Sequence, residues 1–226
     1  VEVLPAQQRN RDAWYDGTAD ALYQNLDLMG MEEPRFVLVL AGDHVYKMDY
    51  GVLLAEHVEQ GADVTLASLD VPLEEASSFG VLDVDDAGWL REMVEKPARP
   101  QPRRYDPRHA RISMGIYVFT AKTLFDALHQ DARRPGSTHD IARDLLPALL
   151  RDGRRVRVHA FADSCVNTVA GRPYWRDVGT VDAYWEANLD LTRVQPDLNM
   201  YDPTWPVRTL EEDLPPAKFI FDSPDP

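Results

Sequence analysis

The sequence predicts an α/β domain: a mostly parallel central sheet, helices flanking it, and one added hairpin. Three observations carry this expectation. Phe36-Val37-Leu38-Val39-Leu40 is a short continuous apolar run, the pattern of a strand buried on both faces. Helical and strand periodicities alternate along the chain. Asp85-Asp86-Ala87-Gly88 separates two strand-like stretches in the way a hairpin turn does.

Taken in order, Leu22, Leu26 and Met29 recur at helical spacing from Gly17 onward. The Phe36–Leu40 strand precedes a helix over Tyr50–Gln60 and an apolar strand that begins at Val64 and ends at Val71-Pro72. Together they form a β-α-β unit, for which a right-handed crossover is expected. Phe79–Val84 and Trp89–Val94 are the two arms of the hairpin. Ile112–Phe119 is a further strand, followed by a helix through Leu124 and Leu128. Ile141, Leu145 and Leu149 give Asp140–Arg151 an apolar stripe, Val156–Phe161 alternates as a strand, and Val181–Leu191 reads as a closing helix. Between Pro196 and Pro226 fall 7 of the 17 prolines with no period, so residues 196–226 read as an extended segment attached to a domain of residues 1–195.

Composition narrows the function. The 226 residues carry 24 Lys and Arg against 38 Asp and Glu, a formal charge of −14, which argues against a general nucleic-acid binder because that role needs a basic face. A phosphorylated substrate would need a cation or a few placed Lys or Arg to offset this field. Hydrophobic residues make up 44%, enough for a packed core. The single cysteine, Cys165, excludes an internal disulfide framework and a multi-thiolate zinc site, and a cytoplasmic setting is expected. No apolar run approaches the ~18–20 residues that span a bilayer, and no signal-peptide pattern opens the chain. Val1 stands where an initiator methionine would, so a processed or partial chain is expected.

The motifs lie at strand ends. Leu38-Val39-Leu40-Ala41-Gly42-Asp43-His44 puts a glycine and an aspartate just past the carboxyl end of a buried strand, where open α/β sheets bind ligands. Asp43 offers a hard oxygen suited to Mg²⁺, although an aspartate there also serves as a cap. His44 has no spaced histidine partner and reads as a structural hydrogen-bonding residue. Asp177, in Pro173-Tyr174-Trp175-Arg176-Asp177-Val178-Gly179-Thr180, sits at a second strand-to-helix junction, and two such carboxylates can hold Mg²⁺ against a polyphosphate. Taken alone, Asp177 could equally cap a helix. Glu95-Lys96-Pro97 ends a strand with an acceptor for sugar hydroxyls and a mobile point charge for a phosphate. In Trp14–Ala21 a helix opens near Gly17 or Thr18, its amino end favours an anion, and Tyr15 could stack on a sugar or base or simply staple the helix start. Gly80 in Phe79-Gly80-Val81 and Gly115 in Ser113-Met114-Gly115 could each be a ligand contact or a bulge. Arg99, Arg103, Arg104, Arg108 and Arg111, interleaved with prolines, read as a solvated loop rather than an anion site.

In their order and spacing these strings resemble the bacterial ADP-glucose pyrophosphorylases, also called glucose-1-phosphate adenylyltransferases. The likeness is carried by Leu4–Arg9, Trp14–Ala21, Ala41–Lys47, Glu74–Val81, Val94–Pro97, Ser113–Phe119, Pro173–Thr180 and Leu214–Phe219. It implies a Rossmann-like nucleotidyltransferase domain with a mostly parallel mixed sheet flanked by helices. The implied reaction transfers the adenylyl group of ATP to glucose 1-phosphate, giving ADP-glucose and pyrophosphate for glycogen synthesis, with Mg²⁺ as cofactor and no covalent protein nucleophile. Carried over by position, Tyr15, Gly80, Glu95, Lys96 and Ser113 match sugar-phosphate positions, Asp43 and Asp177 match the Mg²⁺ carboxylates, and Asp43, Lys96 and Asp177 are the expected catalytic set.

The resemblance departs at the ends. Family members open with a strand and a glycine-rich basic loop for the nucleotide and continue into a left-handed β-helix with oligomer contacts. Neither is present here, so the chain is expected to be an internal fragment, inactive in isolation and with an exposed sheet edge, of a parent that is a homotetramer. Two other readings stay open: a catalytically silent regulatory subunit that binds a sugar phosphate, against which Asp43, Lys96 and Asp177 count, and a metal-dependent glycosyltransferase. Glycosyltransferases commonly carry an Asp-x-Asp string where this chain has Gly42-Asp43-His44.

Overall fold

The computed structural model describes residues 14–208 except 167, 170 and 171, together with Leu4. Pro5–Arg9, Leu214–Phe219 and the part of the proline-rich segment beyond residue 208 lie outside the described residues. The first elements are α1 (Thr18–Tyr23), α2 (Leu26–Met31), β1 (Phe36–Val39), β2 (His44–Tyr46), α3 (Tyr50–Gln60) and β3 (Val64–Pro72). There follow β4 (Gly80–Val84), β5 (Leu90–Glu95), β6 (His109–Thr120), α4 (Ala121–Asp131), α5 (Leu146–Arg151) and β7 (Val156–Ala160). The short β8 (Thr168–Val169), β9 (Arg172–Pro173) and β10 (Trp175–Asp177) precede α6 (Val181–Leu191).

Strands β5, β4, β6, β3 and β7 lie side by side in that order, and β1 joins the same sheet beside β6. One edge of β6 pairs with β3; the other pairs with β4 at Ile112 and with β1 from Tyr117 to Thr120. The mostly parallel sheet expected from the sequence is therefore corrected. Only β3 and β7 pair in parallel, and the remaining pairs of this sheet are antiparallel. Strands β1, β3 and β7 do run in one direction, as the β-α-β reading requires, but β6 runs against them and lies between β1 and β3. A continuous apolar run carries no information about strand direction, and the burial on both faces expected of this one is also corrected, since β1 is only half-buried and Leu38 is exposed.

Strand β6 is the spine because both of its faces are covered. Tyr117 and Phe119 join Val64, Leu66, Leu124 and Leu145 in one core, while Met114, Ile116 and Val118 join Leu53, Ala67 and Phe161 in the other. Midway, its register with β3 slips: Leu66 faces Tyr117, but Ser68 already faces Ser113. Met114, Gly115 and Ile116 bulge there, and Gly115 takes φ +68°, a left-handed conformation that suits glycine. The bulge sits where β4 leaves β6 and β1 begins, so it opens a gap in that edge of the sheet.

Two helical stretches are less regular than their periodicity suggests. The helix through Leu22, Leu26 and Met29 breaks at Gln24 and Asn25, where Asn25 Nδ2 donates to the Ala21 carbonyl (2.8 Å) and to the Tyr15 hydroxyl (3.0 Å). The Asp140–Arg151 stripe begins as a π-helical turn, Ile141–Leu145, before α5. Residues 196–208 form no helix or strand, yet Leu198 is buried and Lys47 Nζ donates to the Trp205 carbonyl (3.1 Å). Among the described residues no helix is long and apolar enough to cross a membrane.

On α3, His57 is buried between Thr65 Oγ1 (2.9 Å from Nδ1) and Thr120 Oγ1 (3.2 Å from Nε2). Burial lowers its pKa below the ordinary 6.5, with Asp63 opposing. Between those two pKa values the unfolded chain binds the proton that the folded chain refuses, so this residue's contribution is complete above about pH 6.5 and is lost as pH falls through the folded value. Urea midpoints at pH 7.5 and pH 5.5 should therefore differ less in His57→Gln than in the unaltered protein. An equal pH response in both would remove the assignment.

Candidate active site

One side of the gap is built by the segment after β1. The chain leaves Val39 through Ala41 and Gly42 to Asp43, then forms β2, which pairs with β10 so that His44 faces Asp177. The Val178 amide donates to the Asp43 carbonyl (2.8 Å), tying the two strand ends together. Asp177 Oδ1 and Asp43 Oδ2 lie 3.0 and 3.2 Å from the position a β-carbon would take on Gly179, so the two carboxylates converge on one spot. Among the described residues no lysine or arginine forms an ion pair with either carboxylate. Asp177 Oδ1 also accepts from the Gly179 amide (2.7 Å), whereas the cap of α6 is Thr180, whose Oγ1 accepts from the Ala183 amide. Two convergent hard oxygens suit a divalent cation, and because no group of three or more metal-ligating side chains occurs among the described residues, its other ligands would come from water or substrate. His44 is expected to be a structural hydrogen-bonding residue, but it is held by packing instead: its ring meets Trp175 edge-on at 5.0 Å beside Gly115, its buried Nδ1 has no hydrogen-bond partner among the described residues, and its Nε2 lies 3.6 Å from Asp43 Oδ1.

The other side is built by β4, β5 and the residues that follow β5. Gly80 pairs with Glu95, and a β-carbon on Gly80 would lie 2.8 Å from Glu95 Oε2 and 3.7 Å from Ser113 Cβ, so these three predicted residues meet across neighbouring strands. Lys96 follows with φ +47° and donates its amide to the Phe79 carbonyl (3.1 Å). A left-handed lysine before a proline is held against its backbone preference, a feature that clusters at functional sites.

Glu95 and Lys96 form one wall of an open cavity of about 250 Å³. Asp16 and Gly17 form a second, and Thr138, Asp140 and Arg143 a third. Burial raises the Glu95 pKa, the Asp140 charge adds to the rise, and Lys96 and Arg143 oppose it. Behind this wall the buried Tyr117 hydroxyl lies 3.4 Å from Ser113 Oγ; its pKa is pushed up to about 12 by burial, against the Ser113 contact and with help from Asp140 and Glu95, so it stays a donor at neutral pH. Tyr15 is set back: half-buried, it precedes Asp16 and accepts from Asn25 through its hydroxyl.

The third wall is fastened from behind. Buried Asp131 accepts from Ser137 Oγ and His139 Nδ1, both at 2.8 Å, and Asp144 accepts from the Thr138 amide and hydroxyl. The His139 carbonyl in turn accepts from the Ala19 and Asp20 amides at the start of α1 (2.8 and 3.3 Å). The two sides of the gap meet at the bulge, where a β-carbon on Gly115 would lie 3.4 Å from both Ala41 Cβ and His44 Cε1, and where Phe79 packs on Trp175. The arginine-rich stretch lies apart and is partly neutralised by neighbouring elements: Arg103 and Arg111 both bond Asp70 of β3, and Arg104 pairs with Asp86 of the hairpin turn.

The profile of the family described as Nucleotidyl transferase matches residues 1–194. The chain belongs to the nucleotidyl transferase family. It is 56% identical over its whole length to a glucose-1-phosphate adenylyltransferase of Nitrosomonas europaea and covers 52% of that protein. A protein of the same name from Nitrosospira multiformis is 56% identical and 53% covered, and one from Bradyrhizobium diazoefficiens is 51% identical with 53% covered. The chain thus spans about half the length of the curated relatives it matches.

For this nucleotidyl transferase chain, sequence reasoning missed Asp16, Tyr117, Thr138, Asp140 and Arg143 at the site. Asp16 carries no motif of its own, and Asp140 has only the signature of a helix start. The available signal was Asp140 and Arg143 three residues apart at that start, opposite charges that a helical turn brings to one side.

Proposed function

We propose that the full-length gene product transfers the adenylyl group of ATP to the phosphate of glucose 1-phosphate, releasing pyrophosphate and forming ADP-glucose. The observation that carries this reading is the pairing, across the β6 bulge, of two carboxylates without a Lys or Arg partner among the described residues with a sugar-sized cavity that presents Lys96 and Arg143. The names and identities of the relatives support the same substrates. A phosphate oxygen of glucose 1-phosphate attacks the α-phosphorus of ATP. The bond from that phosphorus to the bridging oxygen breaks, and the electron pair leaves on pyrophosphate. No protein nucleophile is needed, so the work is alignment and charge neutralisation.

Asp43 and Asp177 would hold Mg²⁺, which when bound offsets negative charge on the nucleotide phosphates. Lys96 anchors the phosphate of the sugar phosphate, and Glu95, with Gly80 and Ser113 behind it, accepts hydrogen bonds from sugar hydroxyls. Half-burial of Glu95 makes those bonds stronger than they would be at an open surface.

The test supplies the full-length gene product with glucose 1-phosphate, Mg²⁺ and each nucleoside triphosphate in turn, following pyrophosphate. ATP should be preferred; turnover with UTP or dTTP but not ATP overturns the reading. Binding of glucose 1-phosphate with no pyrophosphate released would favour a regulatory, sugar-phosphate-binding subunit. Lys96→Ala should raise KM for glucose 1-phosphate about tenfold with a smaller change in kcat, the loss of one charge-assisted contact. An unchanged KM removes Lys96 from the phosphate.

A further inference from the structure

The cavity presents three carboxylates, Asp16, Glu95 and Asp140, beside the Lys96 side chain. A single mobile ammonium is a poor match for a phosphate dianion in that company, because each carboxylate repels the ligand at close range. Arg143 is the other cation on the wall. Its guanidinium makes no hydrogen bond or ion pair among the described residues, although its charge also acts on the neighbouring Asp144 carboxylate. Its charge reaches Glu95, as that of Lys96 does.

The backbone beneath Arg143 is held in place. Asp140 Oδ1 accepts from the Ala142 and Arg143 amides, both at 2.9 Å. Thr18 Oγ1 donates to Asp140 Oδ2 (3.1 Å) and accepts from the Ile141 amide (2.9 Å), which ties the turn to the start of α1. This turn is the π-helical one, Ile141–Leu145, with Ile141 and Leu145 buried in the core and Arg143 exposed on the cavity side. Such turns recur at functional sites because they re-aim a side chain without breaking the helix. The anchored backbone and unengaged side chain are what a ligand-binding arginine needs.

We propose that Arg143 is a second phosphate-binding residue, gripping the sugar phosphate together with Lys96 from a different wall of the cavity. The proposal rests on reading this cavity as the glucose 1-phosphate site. A guanidinium can hold two of the three non-ester oxygens through its planar fork, and Lys96 adds a point charge. That division leaves one oxygen available to attack the nucleotide. Arg143 therefore sets affinity for the sugar phosphate and has little effect on affinity for the nucleotide.

The test titrates glucose 1-phosphate and, separately, ATP into the full-length gene product and its Arg143→Gln and Arg143→Lys variants by calorimetry, with melting curves for all three. Arg143→Gln should bind glucose 1-phosphate about 10- to 100-fold more weakly, the loss of a charge-assisted bidentate contact, with ATP affinity and melting temperature unchanged. Arg143→Lys should recover part of that loss. Equal glucose 1-phosphate affinity in the Gln variant and the unaltered protein overturns the role of Arg143 alone. An early-melting variant that loses both ligands alike assigns it a structural role and also overturns the proposal. If the unaltered protein binds no glucose 1-phosphate, the reading of the cavity falls, and the proposal with it.

Discussion

Asp43→Asn in the full-length gene product lowers kcat by about a thousandfold while the protein melts at its usual temperature. The loss is large because Asn keeps the shape and removes the charge where two carboxylates converge beside Gly179. Electrostatic groups aimed at charge developing in a transition state are worth about 10²–10³ in rate each, and a site that binds its cation through two carboxylates loses half its anionic ligands here. The fold is spared for a separate reason. The Asp43 side chain is 59% exposed, and the bond that ties β2 to the Asp177 segment uses the Asp43 backbone carbonyl, which the substitution leaves in place. Steady-state pyrophosphate release at saturating Mg²⁺, alongside a melting curve, checks both halves. A near-normal kcat would remove the metal role from Asp43. Asp177→Asn is a less clean probe, since Asp177 Oδ1 also accepts from the Gly179 amide and so shapes the turn.

Gly17→Ala destabilises the protein by about 2–3 kcal/mol, measured by urea unfolding, and raises KM for glucose 1-phosphate along with it. A β-carbon at Gly17 would lie 2.4 Å from the His139 carbonyl oxygen and 2.6 Å from that of Thr138. Both are backbone atoms and cannot rotate away. The cost is steric rather than conformational, because Gly17 itself has ordinary extended backbone at φ −176°. To admit the methyl group, the Thr138–Asp140 strip must move back from α1, against the two amides that hold the His139 carbonyl. Thr138, Asp140 and Arg143 form one wall of the cavity, so the same displacement that costs stability should loosen the sugar-phosphate site. Unaltered stability would mean that the strip yields freely and does not hold the wall.

Local chemistry was legible wherever one segment contained its own signals. The helices α3 and α6 run from Tyr50 to Gln60 and from Val181 to Leu191, as their periodicity predicts, and each starts behind a residue whose side chain caps it, Asp49 and Thr180. The hairpin of β4 and β5 turns where Asp85-Asp86-Ala87-Gly88 says it should, with Asp85 Oδ1 accepting from the Ala87 and Trp89 amides. Glu95, Gly80 and Ser113 each stand in a short motif of their own segment, and they meet because β4 lies between β5 and β6. The break at Asn25 and the π-helical turn before α5 were not legible. Each depends on side-chain hydrogen bonds, from Asn25 to the Ala21 carbonyl and the Tyr15 hydroxyl in one case and from the Ile141 amide to Thr18 Oγ1 in the other.

By itself the sequence determined the order of elements, the strand-end positions of Asp43, Asp177 and Lys96, and the resemblance that led to a nucleotidyl transferase. Those properties are set by residue type and spacing along one segment. Tertiary structure alone decided that β6 runs antiparallel between β1 and β3, that its bulge opens the gap, and that Asp140 and Arg143 share a cavity with Glu95 and Lys96. Strand direction and the meeting of distant walls depend on which apolar faces bury each other, and hydrophobic burial has no direction of its own.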